Sequence, residues 1–341
     1  ATMYLCYAAD EQFSMQTGVS MLSVLHATPV RPICFFILDG GLQPHSRATL
    51  SALAAAHDAE VRYIDILPQL DSIRRYGQKA WGDFPSLVTW ARLFLPQLLP
   101  AEVDRVLYLD GDTLVAGDLS ELYATDLSGV SIAAVEDCVN RQYRAALGLT
   151  PEAPYINAGV LLFHIAQLRL SIPSNWPDLY FREGKVYPMA DQDVINLMFA
   201  DSCRHLSLRY NYNVWFRTLS PAGLRLLMED PTLCSFSDQE VADCAQGAVI
   251  YHFNTCKLVI RPWYQGQTDP AGELWRAMYA QSPWAGQPFS AEPQNLTRGD
   301  RRDRRMYQFF GRRVFPYVHE IDFRLRSFFS RLLPRRGRKG N

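Results

Sequence analysis

Short, uninterrupted apolar runs alternate with helix-patterned segments through the first third of the chain. Met3–Ala9, Ile33–Leu38, Val61–Ile66 and Val106–Leu109 read as strands, and Ser14–His26, Pro44–His57 and Ser86–Leu98 read as helices. A strand without polar alternation has both faces buried, which in turn requires helices on both sides of the sheet. The pattern therefore predicts an α/β fold with a mostly parallel central sheet. Later strands are expected at Ser131–Val135, Gly159–Phe163 and Val249–Phe253, and a helix at Asp191–Phe199. Sheets of this kind bind ligands beyond the carboxyl ends of their strands.

The 341 residues, 48% of them hydrophobic and 20% charged, exclude a collagen-like or wholly disordered chain. No run approaches the length of a membrane span, and no secretory leader is expected. The net charge of −1 hides a split. From Arg298 to Asn341 there are 14 basic residues against four acidic ones, so this stretch is +10 and the remainder −11. Gly, Pro, Gln and Asn cluster just before it, which places a domain boundary near 285. Residues 1–285 read as a catalytic domain and 286–341 as a basic, aromatic tail. Ile321, Leu325, Phe328, Phe329, Leu332 and Leu333 fall on one side of a helical wheel with arginines at its border, and Pro334 ends the pattern. Such a helix suits in-plane attachment to an anionic membrane surface through 298–341. The seven cysteines are odd in number and lack C-x-x-C spacing, which argues against a zinc ribbon or a disulfide framework.

Two Asp-x-Asp triplets occur, at 110/112 and 191/193. The tripeptide alone carries no information; its position does. Asp110, Gly111 and Asp112 follow an apolar strand, where the sheet opens to ligand. Two carboxylates on the same side of an extended chain call for a cation between them, and a divalent metal bridging to phosphate oxygens suits the place. His252, at the end of another apolar run, would complete an oxygen/nitrogen site suited to manganese rather than calcium. Asp191 and Asp193 open a helix, where carboxylates also favour the helix dipole. Asp10 ends the first strand, either to accept from a ligand N–H or to cap a helix.

Six pieces carry a resemblance: Tyr7-Ala-Ala-Asp10, Trp90-Ala-Arg92, Val106-Leu-Tyr-Leu-Asp-Gly-Asp112, Asn157-Ala-Gly-Val-Leu-Leu162, Asp191-Gln-Asp193, and His252-Phe253 with Arg261-Pro-Trp263. In this order they resemble glycosyltransferase family 8, whose members retain anomeric configuration. The resemblance implies a Rossmann-like single catalytic domain of GT-A type. It implies a hexosyltransferase that moves glucose or galactose from a UDP-sugar to a glycan, with a lipopolysaccharide, lipooligosaccharide or other lipid-linked saccharide as acceptor. Asp110, Asp112 and His252 would hold Mn2+, with Mg2+ as the alternative. Ala8, Asp10, Gln12 and Phe13 would meet the uracil; Arg92 would lie near the diphosphate. Asp137, Asn157, Asp191 and Gln192 would line the sugar and acceptor pocket, with Gln192 and Asp191 at the reactive face. The expected location is the cytoplasmic side of the cytoplasmic membrane, peripherally attached.

One departure from the family concerns a lysine that usually precedes Pro-Trp and clamps the diphosphate. Here Arg261 stands before Pro262-Trp263, while Lys257 lies nearer the usual distance from His252. Both are candidates. An aspartate-nucleophile phosphatase is the alternative enzyme for Asp110/Asp112, although such enzymes expect Thr or Val at the place of Leu114. Nucleic-acid binding by the basic tail is disfavoured by the acidic body.

Overall fold

The computed structural model describes residues 2–76, 87–150, 152–182, 184–293 and 295–332, with side chains at the carboxyl end described as far as Phe328. The strands are Met3–Ala9 (β1), Ile33–Asp39 (β2), Ala59–Asp65 (β3), Arg105–Leu109 (β4), Thr113–Val115 (β5), Ile132–Glu136 (β6), Ile156–His164 (β7), Cys203–His205 (β8), Tyr212–Asn213 (β9) and Ile250–His252 (β10). Helices that bear on the site are Ser14–Ala27 (α1), Pro44–Ala55 (α2), Asp191–Phe199 (α3), Pro221–Leu227 (α4) and Arg298–Leu332 (α5).

The main sheet runs β3-β2-β1-β4-β7-β6-β8. It is parallel throughout except for β7, which runs antiparallel to both β4 and β6. The continuous apolar runs are explained by two cores, one on each face. Leu5, Tyr7, Phe35, Ile37, Leu107 and Leu109 point into one, together with Val19 and Leu22 of α1. Cys6, Phe36, Leu38, Val106 and Tyr108 point into the other, together with Trp90, Leu93 and Phe94. Strand residues thus alternate between cores with period two, and each large side chain buried this way contributes about 1.5–3 kcal/mol. At the edge, β3 alternates between half-buried and exposed residues, as a strand covered on one face does.

A second sheet, β5-β10-β9, begins where β4 ends. The chain turns through Asp110–Asp112, closed by Thr113 N–H donating to the Asp110 carbonyl at 3.1 Å. It re-enters as β5, which pairs antiparallel with β10 so that Thr113 faces His252.

Two expectations need revision. The helix expected over Ser86–Leu98 is a 3-10 segment, Val88–Phe94, followed by a short α-turn, Leu95–Leu98; Ser86 lies outside the described residues. Pro96 sits in the first turn of that α-segment, where its lack of an N–H is tolerated but would break an α-helix running through it. The carboxyl-terminal helix is far longer than its apolar pattern and is broken at Gly311, where φ is +70°. Its amino-terminal half packs on the body: Arg304 is 8% exposed, and Met306 and Tyr307 lie against the core. Leu333, Pro334 and the final basic cluster lie outside the described residues. No described helix is long and apolar enough to cross a membrane.

Candidate active site

The carboxyl ends of β4 and β10 converge on one cluster. Asp110, Asp112 and His252 each offer a ligand atom, all within 4.8 Å of one another. Nε2 of His252 lies 3.1 Å from Oδ1 of Asp112 and 3.9 Å from Oδ2 of Asp110. The geometry follows from strand pairing, because β5 and β10 lock the residues after Asp112 against His252, and Phe253 N–H donates to the Asp112 carbonyl at 2.8 Å.

The orientation of His252 is set by a chain of amides. A carboxylate can only accept, so Asp137 Oδ2 takes a hydrogen bond from Asn157 Nδ2 at 2.9 Å. The Asn157 Oδ1 then accepts from Asn211 Nδ2 at 2.9 Å. That leaves Asn211 Oδ1 to face His252 Nδ1 at 3.0 Å, and Nδ1 must carry the proton. The lone pair of Nε2 is thereby turned toward two carboxylates. Without a proton or a cation between them this arrangement is repulsive, and among the described residues the buried Asp112 Oδ1 has no donor other than the one this ring nitrogen could become. An oxygen, oxygen, nitrogen donor set of this kind fits a divalent metal.

The electrostatics agree. Burial pushes the Asp110 carboxyl above its usual range; Arg92 opposes this and Asp112 adds to it. Burial also works against the Asp112 charge, but His252 and Arg261 outweigh it and hold that carboxyl low. For His252, burial favours the neutral ring, yet Asp112 and then Asp110 raise it above its ordinary value.

Arg92 is buried behind the carboxylates. Its Nε pairs with Asp191 Oδ2 at 2.7 Å and its Nη1 with Asp110 Oδ1 at 3.3 Å; Nε also donates to the Thr89 carbonyl and Nη1 to the Ala158 carbonyl. The guanidinium lies 4.5 Å from the centre of the Tyr108 ring. Arg92, expected near the diphosphate, orients two acids of the site, one of them in the cluster itself. Asp191 is further held by the Thr89 hydroxyl at 2.9 Å. Gln192 accepts from Ala158 N–H at 2.9 Å and donates to Asp137 Oδ2 at 3.1 Å, which fixes its amide at the site. Asp193 faces away and accepts from the hydroxyls of Tyr143 and Tyr155.

At the end of β1, Asp10 caps the 3-10 turn Glu11–Phe13 through Phe13 N–H at 3.2 Å. Ala8 is half-buried and Gln12 exposed. Phe13 is half-buried and packs edge-on against Trp263, with ring centres 5.8 Å apart. Gly111 allows this approach: a Cβ there would lie 2.6 Å from Thr17 Oγ1 and 3.0 Å from Phe13.

The two cations near Pro262-Trp263 separate clearly. Arg261 Nη1 lies 3.8 Å from Asp112 Oδ2, and its guanidinium covers the Trp263 ring at 4.8 Å. Lys257 points the other way, its Nζ 3.0 Å from Asp300 on α5. Of the pair, Arg261 is the residue brought to the Asp110, Asp112 and His252 cluster.

Residues 4–265 match the family model described as Glycosyl transferase family 8. The chain belongs to that family. Family 8 membership makes it a glycosyltransferase and decides against the phosphatase reading of Asp110 and Asp112. It is 23% identical to a lipopolysaccharide 1,2-glucosyltransferase of Escherichia coli, over 90% of this chain and 86% of that one. It is 22% identical to the lipopolysaccharide 1,3-galactosyltransferase of Salmonella typhimurium, over 82% and 79%. Among solved structures, the galactosyltransferase LgtC in complex with donor and acceptor sugar analogues matches with a TM-score of 0.64 and 25% identity, covering 87% of this chain and all of that one. These likenesses support a retaining transferase of the GT-A fold.

Two residues of this family 8 site had escaped the sequence reading. Asn211 relays orientation to His252, and its one trace in the sequence was the Asn-Tyr-Asn triplet 211–213, which straddles the two-residue strand β9. Gly159 is the other: a Cβ there would sit 2.1 Å from Cε1 of His252. In the sequence it stood only as the first residue of an expected strand and inside the Asn157–Leu162 piece; its contact with the His252 ring had no signal there.

Proposed function

We propose that this family 8 enzyme transfers a hexose, glucose or galactose, from a UDP-sugar to a lipid-linked saccharide, with Mn2+ on Asp110, Asp112 and His252. The observation that carries the reading is the inward-facing lone pair of His252 opposite two strand-end carboxylates. When bound, the metal would supply Lewis-acid stabilisation of the leaving diphosphate. Arg261, restrained over Trp263, adds a second positive charge on the same side. Ala8, Asp10 and Phe13 sit at the end of β1, where a flat base can lie against small residues and a half-buried ring.

Gln192, an amide and hence a poor nucleophile, faces the sugar position. Asp191 is tied by Arg92 and the Thr89 hydroxyl and serves to hold the sugar or acceptor. Retention then proceeds by attack on the face the diphosphate leaves, through an oxocarbenium-like state. The test is a panel of nucleotide sugars incubated with Mn2+ or Mg2+ and read by mass spectrometry. Metal-dependent release of UDP from UDP-glucose or UDP-galactose is expected. Consumption of a different nucleotide sugar, or turnover that survives chelation, would overturn the donor and metal assignments.

The acceptor proposal rests on α5 together with the lipopolysaccharide enzymes among the relatives. Beyond the Gly311 break, Val314, Tyr317, Ile321, Leu325 and Phe328 are spaced three or four apart and are each 47–59% exposed. They form an apolar stripe on a helix that also carries Arg312, Arg313, Arg324 and Arg326, a composition suited to an anionic leaflet at the inner face of the cytoplasmic membrane. Sedimentation with anionic vesicles at low salt should be lost in an Ile321→Ser, Leu325→Ser double variant. Equal sedimentation of both proteins would remove the membrane proposal.

A further inference from the structure

We infer that the amino-terminal half of α5 is a brace for the diphosphate-facing loop, and that Arg304 is its positioning residue. The inference rests on the assignment of Arg261 to the diphosphate above.

Residues 254–264 carry Arg261 to the metal cluster without the support of a strand or a helix. A segment of this kind has no ladder of its own, so its backbone carbonyls must be satisfied elsewhere. On the approach to Arg261 the Ile260 carbonyl is taken by the N–H groups of Thr268 and Asp269, and those of Lys257 and Val259 by Arg304. Its Nε donates to the Lys257 carbonyl at 2.7 Å and its Nη2 to the Val259 carbonyl at 3.2 Å. The guanidinium is also held by both oxygens of Glu292, so the fork is fixed in plane. On the far side, Arg276 Nε donates to the Pro262 carbonyl at 3.0 Å and its Nη2 to the Tyr264 carbonyl at 2.9 Å. Arg261 is thus presented between two arginine clasps, one from the catalytic body and one from α5.

The helix can serve as a fixed reference because it is itself anchored. Before the break Met306 and Tyr307 pack against the core, and Tyr307 meets the buried Phe315 ring edge-on with centres 5.7 Å apart; just past it, Pro316 packs so closely on α4 that a Cβ at Gly223 would lie 2.8 Å from its Cγ. Asp300 caps the helix start, accepting from Thr297 N–H at 2.8 Å while also taking Lys257 Nζ. Arg304 therefore acts on the leaving group only through the backbone of Lys257–Val259 and the guanidinium two residues further on. Its loss should weaken grip on the phosphates and leave the base site unchanged.

The experiment is calorimetric titration of the full chain with UDP and with uridine, both in Mn2+. Arg304→Gln should lower UDP affinity about tenfold, as expected of one displaced cationic contact, with uridine affinity unchanged. Arg304→Lys, which can reach one of the two carbonyls, should recover part of the loss. In an Arg261→Ala background, Arg304→Gln should cost nothing further, because the two act as one unit. If Arg304→Gln does not fold, Glu292→Gln, which keeps the arginine and loosens its plane, carries the same comparison. A folded variant that binds UDP as the wild type does, or loses UDP and uridine equally, would overturn the brace. Additive losses in the double variant would do the same. Failure of the wild type to bind UDP at all would instead count against the donor assignment.

Discussion

The two walls of the site are built by different means. One wall is made of strand ends: Asp110 and Asp112 leave β4, whose Val106–Leu109 segment is wholly buried between β1 and β7. The other is the loop 254–264, shaped by side chains that reach its carbonyls from α5 and from Arg276. A strand end inherits its position from the whole sheet, so its chemistry is rigid and costly to move. A loop inherits its position from a few hydrogen bonds, each worth about 0.5–1.5 kcal/mol. Substitutions in the strand wall should therefore be severe and those in the loop wall graded.

The largest effect is expected at the carboxylates. Asp112→Asn should lower metal-dependent turnover by about 10³-fold, since it removes a charge that stabilises the transition state through the metal. Asp110→Asn should act similarly, and it also leaves Arg92 without one of its two acids. Circular dichroism should stay native for both. Near-normal turnover in either would mean that the strand wall does not hold the metal.

Gly159→Ala tests the same wall from behind. The added methyl would occupy the place of the His252 ring, so the ring must swing off its Asn211 partner. Metal affinity, read by titration with Mn2+, should fall by about 10–100-fold, the range found when the support of a ligand is lost. Overpacking should also destabilise the fold by about 1–3 kcal/mol. If thermal stability fell and metal affinity did not, Gly159 would be a packing residue alone.

The strand wall was legible because burial on both faces leaves a plain trace: an apolar run that stops at an acid. Positions 110 and 112 could be named on that basis, and 252 as a histidine ending another apolar run. The loop wall was not legible. Lys257 and Arg261 have the same charge and lie four residues apart, and what separates them is a partner at position 300 and a guanidinium at position 304, reached only through the tertiary fold. The short strands β5, β8 and β9, of two or three residues each, were invisible for a related reason, since no periodicity can be read in so few positions. The break at Gly311 was hidden as well: the apolar pattern beyond it was read correctly as a helix, but nothing in that pattern marks which half is buried.

Proton linkage distinguishes the walls again. In the metal-free protein, His252 holds its proton above the ordinary value of 6.5 because Asp112 and Asp110 outweigh burial. A raised value means that the stabilising charge is present in acid and is lost as pH rises through the folded pKa. Metal binding requires the neutral ring, so it must displace that proton. Below the folded pKa, affinity should fall about tenfold per pH unit. The rise in melting temperature on adding Mn2+ should accordingly grow as pH rises from 6.5 through the folded value. In His252→Gln the metal-induced shift should be smaller and should lose this slope. A slope that persists in that variant would place the linked proton on another group.

The smallest effects belong to the loop, where two substitutions of equal chemistry should diverge. Arg261→Ala should reduce turnover about tenfold or more, because its guanidinium faces Asp112 from a restrained position over Trp263. Lys257→Ala should change turnover by less than about twofold. Its side chain is 58% exposed against 22% for Arg261, and it pairs with Asp300 rather than with anything in the cluster. A surface pair of that kind is worth about 0–1 kcal/mol. The backbone carbonyl that Arg304 uses survives the substitution, so the loop keeps its shape. Parallel kinetics with the UDP-sugar would read both variants. If Lys257→Ala were the costlier change, the loop would have to close in the ligand-bound enzyme by exchanging the Asp300 pairing for the diphosphate, and the two walls would differ in motion as well as in construction.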